Sequence, residues 1–402
     1  MRFNLTKEEL LTSLALSVEV PPAHKTNCFD SHQIIKSFGR NATKRFIYLE
    51  MQEKKEVITL SIRSTSDWIQ YYKNVGIPQN LINRYEPYIG NLIKKGIPVI
   101  FEINHLALLL GVNKDYLLKI INGQESFYRE FTIKKKSGGE RIISAPYPSL
   151  LMIQKWIYEN ILKVLSFHKC AHGYSPKKSI VSNCKVHISS NEFLKLDLKD
   201  FFPSIGFNRI IVFFNKLGYS RKVSYYLARL CTLEGSLPQG APTSPILSNL
   251  ISIKLDKRLY AFAQKFRLKY TRYADDIVFS GDSLNIKLFD YIISILNEEG
   301  FNNNSKKTRY YKETNKKIIT GISIQNRKLK LPRSYRRNLV LELNYIMKYG
   351  FDSHISKKKI RNLKYLQSII GKVNFWLQVE PDNQFANKAK LFLLRELRNK
   401  LN

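Results

Sequence analysis

Two acidic sites in this 402-residue chain stand out for their surroundings. Asp197 lies inside the strand-like run LKLDLKDFF, and Asp275 and Asp276 are adjacent between YTRY and IVFSG. With 66 Lys and Arg against 32 Asp and Glu, the chain has few acids to spare. Neighbouring carboxylates between hydrophobic strands repel one another, and a divalent cation offsets that repulsion. Two magnesium ions about 4 Å apart, bridged by carboxylates, can activate a hydroxyl nucleophile and stabilise a leaving pyrophosphate. The plainer reading of an isolated Asp-Asp is a turn whose side chains bond backbone N–H groups, so the surrounding elements decide between the two.

Those elements follow from periodicity. KYTRYADDIVFSG (269–281) has apolar runs on both sides of Ala-Asp-Asp, which predicts a hairpin with the acids at its tip. EFLKLDLKDFFPSI (192–205) predicts a strand and then a turn at Pro203. YREFTIKKKSGGERIISAP alternates around Ser137-Gly138-Gly139 and predicts a basic hairpin. Helical spacing marks residues 149–165 and most of Asn208 to Leu233. Residues 102–122 read as helix, turn, helix around Gly111 and Asn113, more simply two packed core helices than a DNA-reading motif. The basic segment after Ile324, including SKKKIRNLKYLQSIIGKVNFWL, is expected to be helical.

Composition narrows the partners. A net charge of +34 attracts polyanions, nucleic acid first, and is too large for a neutral small-molecule enzyme. The four cysteines, Cys28, Cys170, Cys184 and Cys231, form no C-x-x-C pair, which fits a reduced, cytoplasmic setting. The N-terminus is unlike a secretory signal, and no apolar run reaches 18 residues, so no membrane span is expected.

Five blocks in order resemble reverse transcriptases: the hairpin FTIKKKSGGERIISAP, LDLKDFFPSI, LPQGAPTSPILSNL (237–250), Tyr273-Ala274-Asp275-Asp276 as the Y-x-D-D box, and EEGFNNNSKKTRYY (298–311). The resemblance implies an α+β right-hand polymerase with fingers, palm and thumb, preceded by a mainly helical N-terminal extension. Its divisions would be residues 1–125 for the extension, 126–325 for fingers and palm, and 326–402 for a basic helical thumb. It implies that Asp197, Asp275 and Asp276 hold two magnesium ions, with manganese as a substitute. Lys136 and Arg141 would clamp the incoming dNTP. Gln239 would contact the templating pair or the sugar, with Gly240 allowing close backbone approach. Phe202 would exclude a ribose 2′-hydroxyl unless it is a core residue beside Phe201. Lys307, with Lys306 as its rival, would meet the pyrophosphate.

AHGYSPKKSIVSNCKVH (171–187) and Ile319-Thr320-Gly321 narrow the resemblance to bacterial retron enzymes, with Cys184 where that family usually has Ala. Asn183, His187, Thr320 and Gly321 would then contact RNA, and the basic C-terminal segment, Lys357, Lys358 and Lys359 included, would grip it. Singly, His187 reads as a satisfied histidine on a packed helix and Thr320-Gly321 as a turn after a strand. The retron resemblance implies a structured noncoding RNA as template and partner, a DNA product that can stay joined to it, a role in defence against phage, and a separate effector protein. The alternatives are another bacterial defence reverse transcriptase without a 2′–5′ branch, an RNA-templated RNA polymerase, or a non-catalytic RNA-binding protein on the same fold.

Overall fold

A computed structural model describes residues 64–74, 76–135, 138–312, 317–362 and 364–400. The chain divides into two compact units, each made of two separate segments. One comprises Met1–Ser166 and Phe202–Ile251, the other Phe167–Phe201 and Ser252–Asn402.

The first unit begins, among the described residues, with helices Thr65–Asn74, Gln79–Lys94, Ile103–Leu110 and Lys114–Asn122. The turn expected near Gly111 and Asn113 is present, with Gly111 left-handed at the end of one helix. The Asn113 carboxamide caps the next, accepting from the backbone N–H of Asp115 and Tyr116. Leu106, Leu117 and Ile120 are fully buried, so these are core helices. Strands β1 (Tyr128–Lys134) and β2 (Glu140–Pro146) pair as the expected hairpin, and β1 beyond Tyr128 is exposed on both faces. The helical stretch expected over 149–165 is an α-helix, Pro148–Ile157, that widens into one π turn, Tyr158–Leu162. Helices Phe207–Leu217, Arg221–Cys231 and Ser244–Ile251 complete the unit. Gln154 ties two parts of it together, its Nε2 donating to Leu230 O at 2.8 Å and Tyr128 OH at 2.7 Å.

The second unit is built on an antiparallel sheet. Strands β3 (Glu192–Lys199), β4 (Lys269–Tyr273), β5 (Asp276–Gly281) and β6 (Asn302–Asn303) lie in the order β4-β5-β3-β6, and β7 (Arg309–Tyr311) also pairs with β3. β3 is central and its Phe193, Leu194, Leu196 and Leu198 are all buried, which explains its nearly continuous apolar run. Strands β8 (Lys317–Ile319), β9 (Ile322–Gln325) and β10 (Lys328–Lys330) form a second, three-stranded sheet. Helices Ile180–Val186, Ile253–Lys265 and Leu288–Glu298 accompany the strands, and Arg333–Tyr349, Phe351–Lys358, Tyr365–Val379 and Gln384–Asn399 follow them. The basic segment expected to be helical is thus split: Lys359 is left-handed and ends one helix six residues before the next begins at Tyr365. One hydrophobic core joins Phe193 and Val278 of the sheet to Leu343, Ile369, Val373, Trp376 and Leu393 of these last helices. The sheet that carries the acids therefore shares its core with the C-terminal helices. Among the described residues no helix is long and apolar enough to cross a membrane.

Candidate active site

The register of the sheet brings the three acids to one end. Asp197 of β3 is the ladder partner of Asp276, the first residue of β5. Directly paired residues present their side chains on the same face, about 5 Å apart at Cβ. Asp275 sits between Tyr273 and Asp276 in the two-residue turn of the β4–β5 hairpin, and its carbonyl accepts from Leu198 N–H at 2.9 Å. Backbone pairing alone thus assembles acids that are far apart in sequence.

Their electrostatics are those of crowded anions. Burial, and after it the carboxylates of Asp276 and Asp197, push the Asp275 carboxyl above its usual range. Burial raises Asp276 as well, against the opposing pull of Lys195, whose ammonium lies 3.1 Å from Asp276 Oδ1. Lys307, on the 3-10 turn Ser305–Lys307, donates to both oxygens of Asp197 at 3.0 and 2.9 Å, and Asn304 Nδ2 lies 3.4 Å from one of them. Lys307 rather than Lys306 is therefore the lysine seated on the acids.

The donors suit a hard divalent cation, since carboxylate oxygens are its preferred ligands. Among the described residues, no three acidic, histidine or cysteine side chains already stand in a closed metal-binding arrangement. The ammonium groups of Lys307 and Lys195 instead take carboxylate oxygens of Asp197 and Asp276. Positive charge is thus the complement this cluster demands.

The other expected nucleotide contacts fall in the first unit. Arg141 is exposed on β2, paired with Ile133. Ser144 N–H, three residues on, donates to the Gln239 carbonyl at 2.8 Å, so β2 and the Gln239-Gly240 loop are stitched together. Gly240 is required there. Its φ is +133°, and a Cβ would stand 2.6 Å from Ser144 O. Phe201 is buried, 5.8 Å from the ring of Phe301, whereas Phe202 is partly exposed, which makes Phe202 the more accessible of the two rings. Lys136 lies outside the described residues.

A sequence profile described as "Reverse transcriptase (RNA-dependent DNA polymerase)" matches residues 133–336, which include all three acids. The chain belongs to the reverse transcriptase family. Within it, the chain is of the bacterial retron type and is an RNA-directed DNA polymerase. It is 35% identical over 255 residues to the retron Ec86 reverse transcriptase of Escherichia coli, covering 62% of this chain and 80% of that one. To the retron Mx65 reverse transcriptase of Myxococcus xanthus it is 34% identical over 277 residues, covering 63% and 65%. To the retron Ec73 reverse transcriptase of Escherichia coli it is 30% identical over 287 residues, covering 61% and 91%.

In this reverse transcriptase the two retron blocks meet through Cys184, and the first of them turns its Asn and His inward. His187 is fully buried. Its Nδ1 lies 2.6 Å from Ser280 Oγ on β5 and its Nε2 2.7 Å from Thr271 Oγ1 on β4. Burial, with Lys269 and His172 adding to it, pushes its pKa down to about 3, so the ring is neutral and braces the β4–β5 hairpin. Asn183 is also fully buried. The expectation that Asn183 and His187 hold RNA is corrected: both side chains are inside, and both His187 ring nitrogens are already paired. Cys184 Sγ reaches Ile319 O at 3.2 Å and Thr320 Oγ1 at 3.6 Å, which links the first block to the second. Thr320 and Gly321 form the left-handed turn between β8 and β9, with φ of +43° and +82°. Thr320 is half-buried and Gly321 exposed. Lys357, Lys358 and Lys359 are exposed, and the Lys357 ammonium lies 4.7 Å from the centre of the Tyr345 ring.

Several residues of the site had no sequence signal. Arg272, on β4 two residues before the turn, is fully buried and forms a bidentate pair with Asp256. Gly173 lies against the turn so closely that a Cβ there would stand 2.6 Å from Ala274 N. Its place in the A-H-G triplet was the one available hint.

Proposed function

We propose that this reverse transcriptase copies part of one structured noncoding RNA into DNA by two-metal nucleotidyl transfer. The observation that carries the reading is the strand register that pairs Asp197 with Asp276 and fixes Asp275 beside them. Asp197, Asp275 and Asp276 would hold two divalent ions, magnesium or manganese. When bound, such ions polarise phosphoryl oxygens and stabilise charge on the attacking and leaving oxygens. Lys307, now on Asp197, would turn its ammonium to the leaving pyrophosphate. Arg141 and Lys136 would clamp the triphosphate, Gln239 and Gly240 would lie against the templating pair, and the Phe202 ring would exclude a 2′-hydroxyl. Lys357, Lys358 and Lys359 would bind RNA phosphates, and the turn of half-buried Thr320 and exposed Gly321 would contact RNA as well.

Kinship with retron enzymes supports the rest of the proposal. Synthesis would start from an internal 2′-hydroxyl of the cognate RNA, and the complex would serve in defence against phage beside a separate effector protein. The test is to purify the protein with its native RNA, sequence the nucleic acid, and treat the product with a debranching enzyme. Release of free DNA is the expected result. A product that begins at a 3′ end or on a side chain, and resists debranching, would overturn the priming mode and leave the polymerase assignment standing.

A further inference from the structure

The turn that carries Asp275 is strained. Ala274, its first central residue, has φ +56°, a left-handed conformation in which the Cβ crowds the backbone. Asp275 follows, so the plane of the Ala274–Asp275 peptide sets where its carboxylate points. Arg272 touches that peptide: Nη1–H donates to the Ala274 carbonyl at 3.1 Å. The rest of the guanidinium is immobilised. Nε and Nη2 donate to the two oxygens of Asp256 at 2.8 and 2.6 Å, and Asp256 also accepts Tyr270 OH at 2.7 Å. Arg272 and Asp256 side chains are both 0% exposed. The Arg272 backbone is held too, its N–H donating to Cys170 O at 2.9 Å and its carbonyl accepting from His172 N–H at 2.7 Å.

A buried ion pair is a poor device for stability alone, because well-packed apolar side chains of similar volume often replace one without loss. Apolar side chains cannot offer a rigid donor aimed at a carbonyl. Nor can lysine, whose single ammonium on a flexible stem lacks the planar fork that grips Asp256 and Ala274 together. We propose that Arg272, anchored by Asp256, is a positioning residue for nucleotidyl transfer: it holds the Ala274–Asp275 peptide in the orientation that keeps the Asp275 carboxylate beside those of Asp197 and Asp276. The inference rests on reading Asp275 as a catalytic carboxylate.

The experiment is a double-mutant cycle in the full chain, with Arg272→Lys and Ala274→Gly, assayed for dNTP incorporation on a primed RNA template. Arg272→Lys should lower kcat by about ten- to a hundredfold, the scale of a small misplacement of reacting groups, with KM for dNTP within about twofold. Hydrogen exchange in the peptide spanning residues 272–277 should quicken about tenfold without metal or substrate present, and exchange in the Gln384–Asn399 helix should stay as it was. Glycine takes positive φ freely, so in the Ala274→Gly background the same substitution should cost less than about threefold in kcat. A folded Arg272→Lys protein with wild-type kcat and exchange overturns the proposal, as does an equal loss in both backgrounds. If Arg272→Lys does not fold, Arg272→Met with Asp256→Leu replaces the pair by apolar side chains and is read by the same cycle. Failure of both to fold makes the pair a folding element and also overturns the proposal. Asp275→Asn separates the two readings: if it is active, Asp275 is not catalytic, whereas if it is inactive and Arg272→Lys is fully active, only the positioning role fails.

Discussion

Two carboxylate–cation pairs sit on the same sheet under opposite conditions. Asp256 and Arg272 are 0% exposed on both sides, joined by two hydrogen bonds and completed by Tyr270. Asp197 and Lys307 are 9% and 54% exposed, and the lysine comes from a 3-10 turn rather than a strand. The first pair cannot part without leaving a charge in the interior, which is costly. In the second only the carboxylate is enclosed: water can receive the half-exposed ammonium, and Asp197 keeps the Asn304 amide beside it. On the proposed function both kinds would serve: a fixed frame for the backbone that carries the acids, and a cation at those acids that would yield to metal and nucleotide.

The largest effect should come from the acids themselves. Asp275→Asn with Asp276→Asn is expected to cut DNA synthesis by at least about a hundredfold, the scale of losing a principal transition-state contact. Melting without metal should not fall, since the substitution removes carboxylates that repel one another. Normal extension by this protein in magnesium would remove the acids from catalysis. The contrast between the pairs is tested next by single truncations followed through thermal or urea melts. Asp256→Ala should cost about 3–5 kcal/mol, because it strands the buried Arg272. Lys307→Ala should cost less than half as much, because the ammonium it removes is half-exposed, while slowing synthesis. Equal losses of stability would erase the distinction.

Phe202→Ala should raise rNTP use relative to dNTP by roughly tenfold or more, as removal of a steric block from a sugar pocket does. Unchanged discrimination, read from paired kcat/KM values, would return Phe202 to an ordinary packing role. The smallest effect belongs to the exposed lysines. Replacing Lys357, Lys358 and Lys359 by Gln should weaken RNA binding and reduce its salt slope by about 2, given the counterions that three phosphate contacts release. A titration with identical slopes would leave these lysines a solvated surface.

The elements that carry the acids were legible locally. Apolar runs on both sides of the Ala-Asp-Asp interruption in 269–281 predict the β4–β5 hairpin, and the Gly111 and Asn113 signals predict a helix boundary that the Asn113 cap confirms. His187 shows where local reading ran out. Family position offered a contact with RNA, and packing chose the other reading, a histidine whose ring nitrogens both face hydroxyl groups of the β4–β5 hairpin. The basic C-terminal helix likewise broke at Lys359, where the run of lysines has no apolar face to bury.

By itself the sequence determined the polymerase class and the strands and turns that carry the three acids, because each depends on residue type and on periods of a few residues. Only the tertiary structure decided the rest: that Asp197 faces Asp276, that Lys307 and not Lys306 sits on Asp197, that Phe201 is buried while Phe202 is partly exposed, and that Arg272 turns inward to Asp256 and the Ala274 carbonyl. These outcomes depend on strand register and burial. Both are set by residues distant in sequence that share one core, and no local pattern encodes which of two neighbouring side chains that core will enclose.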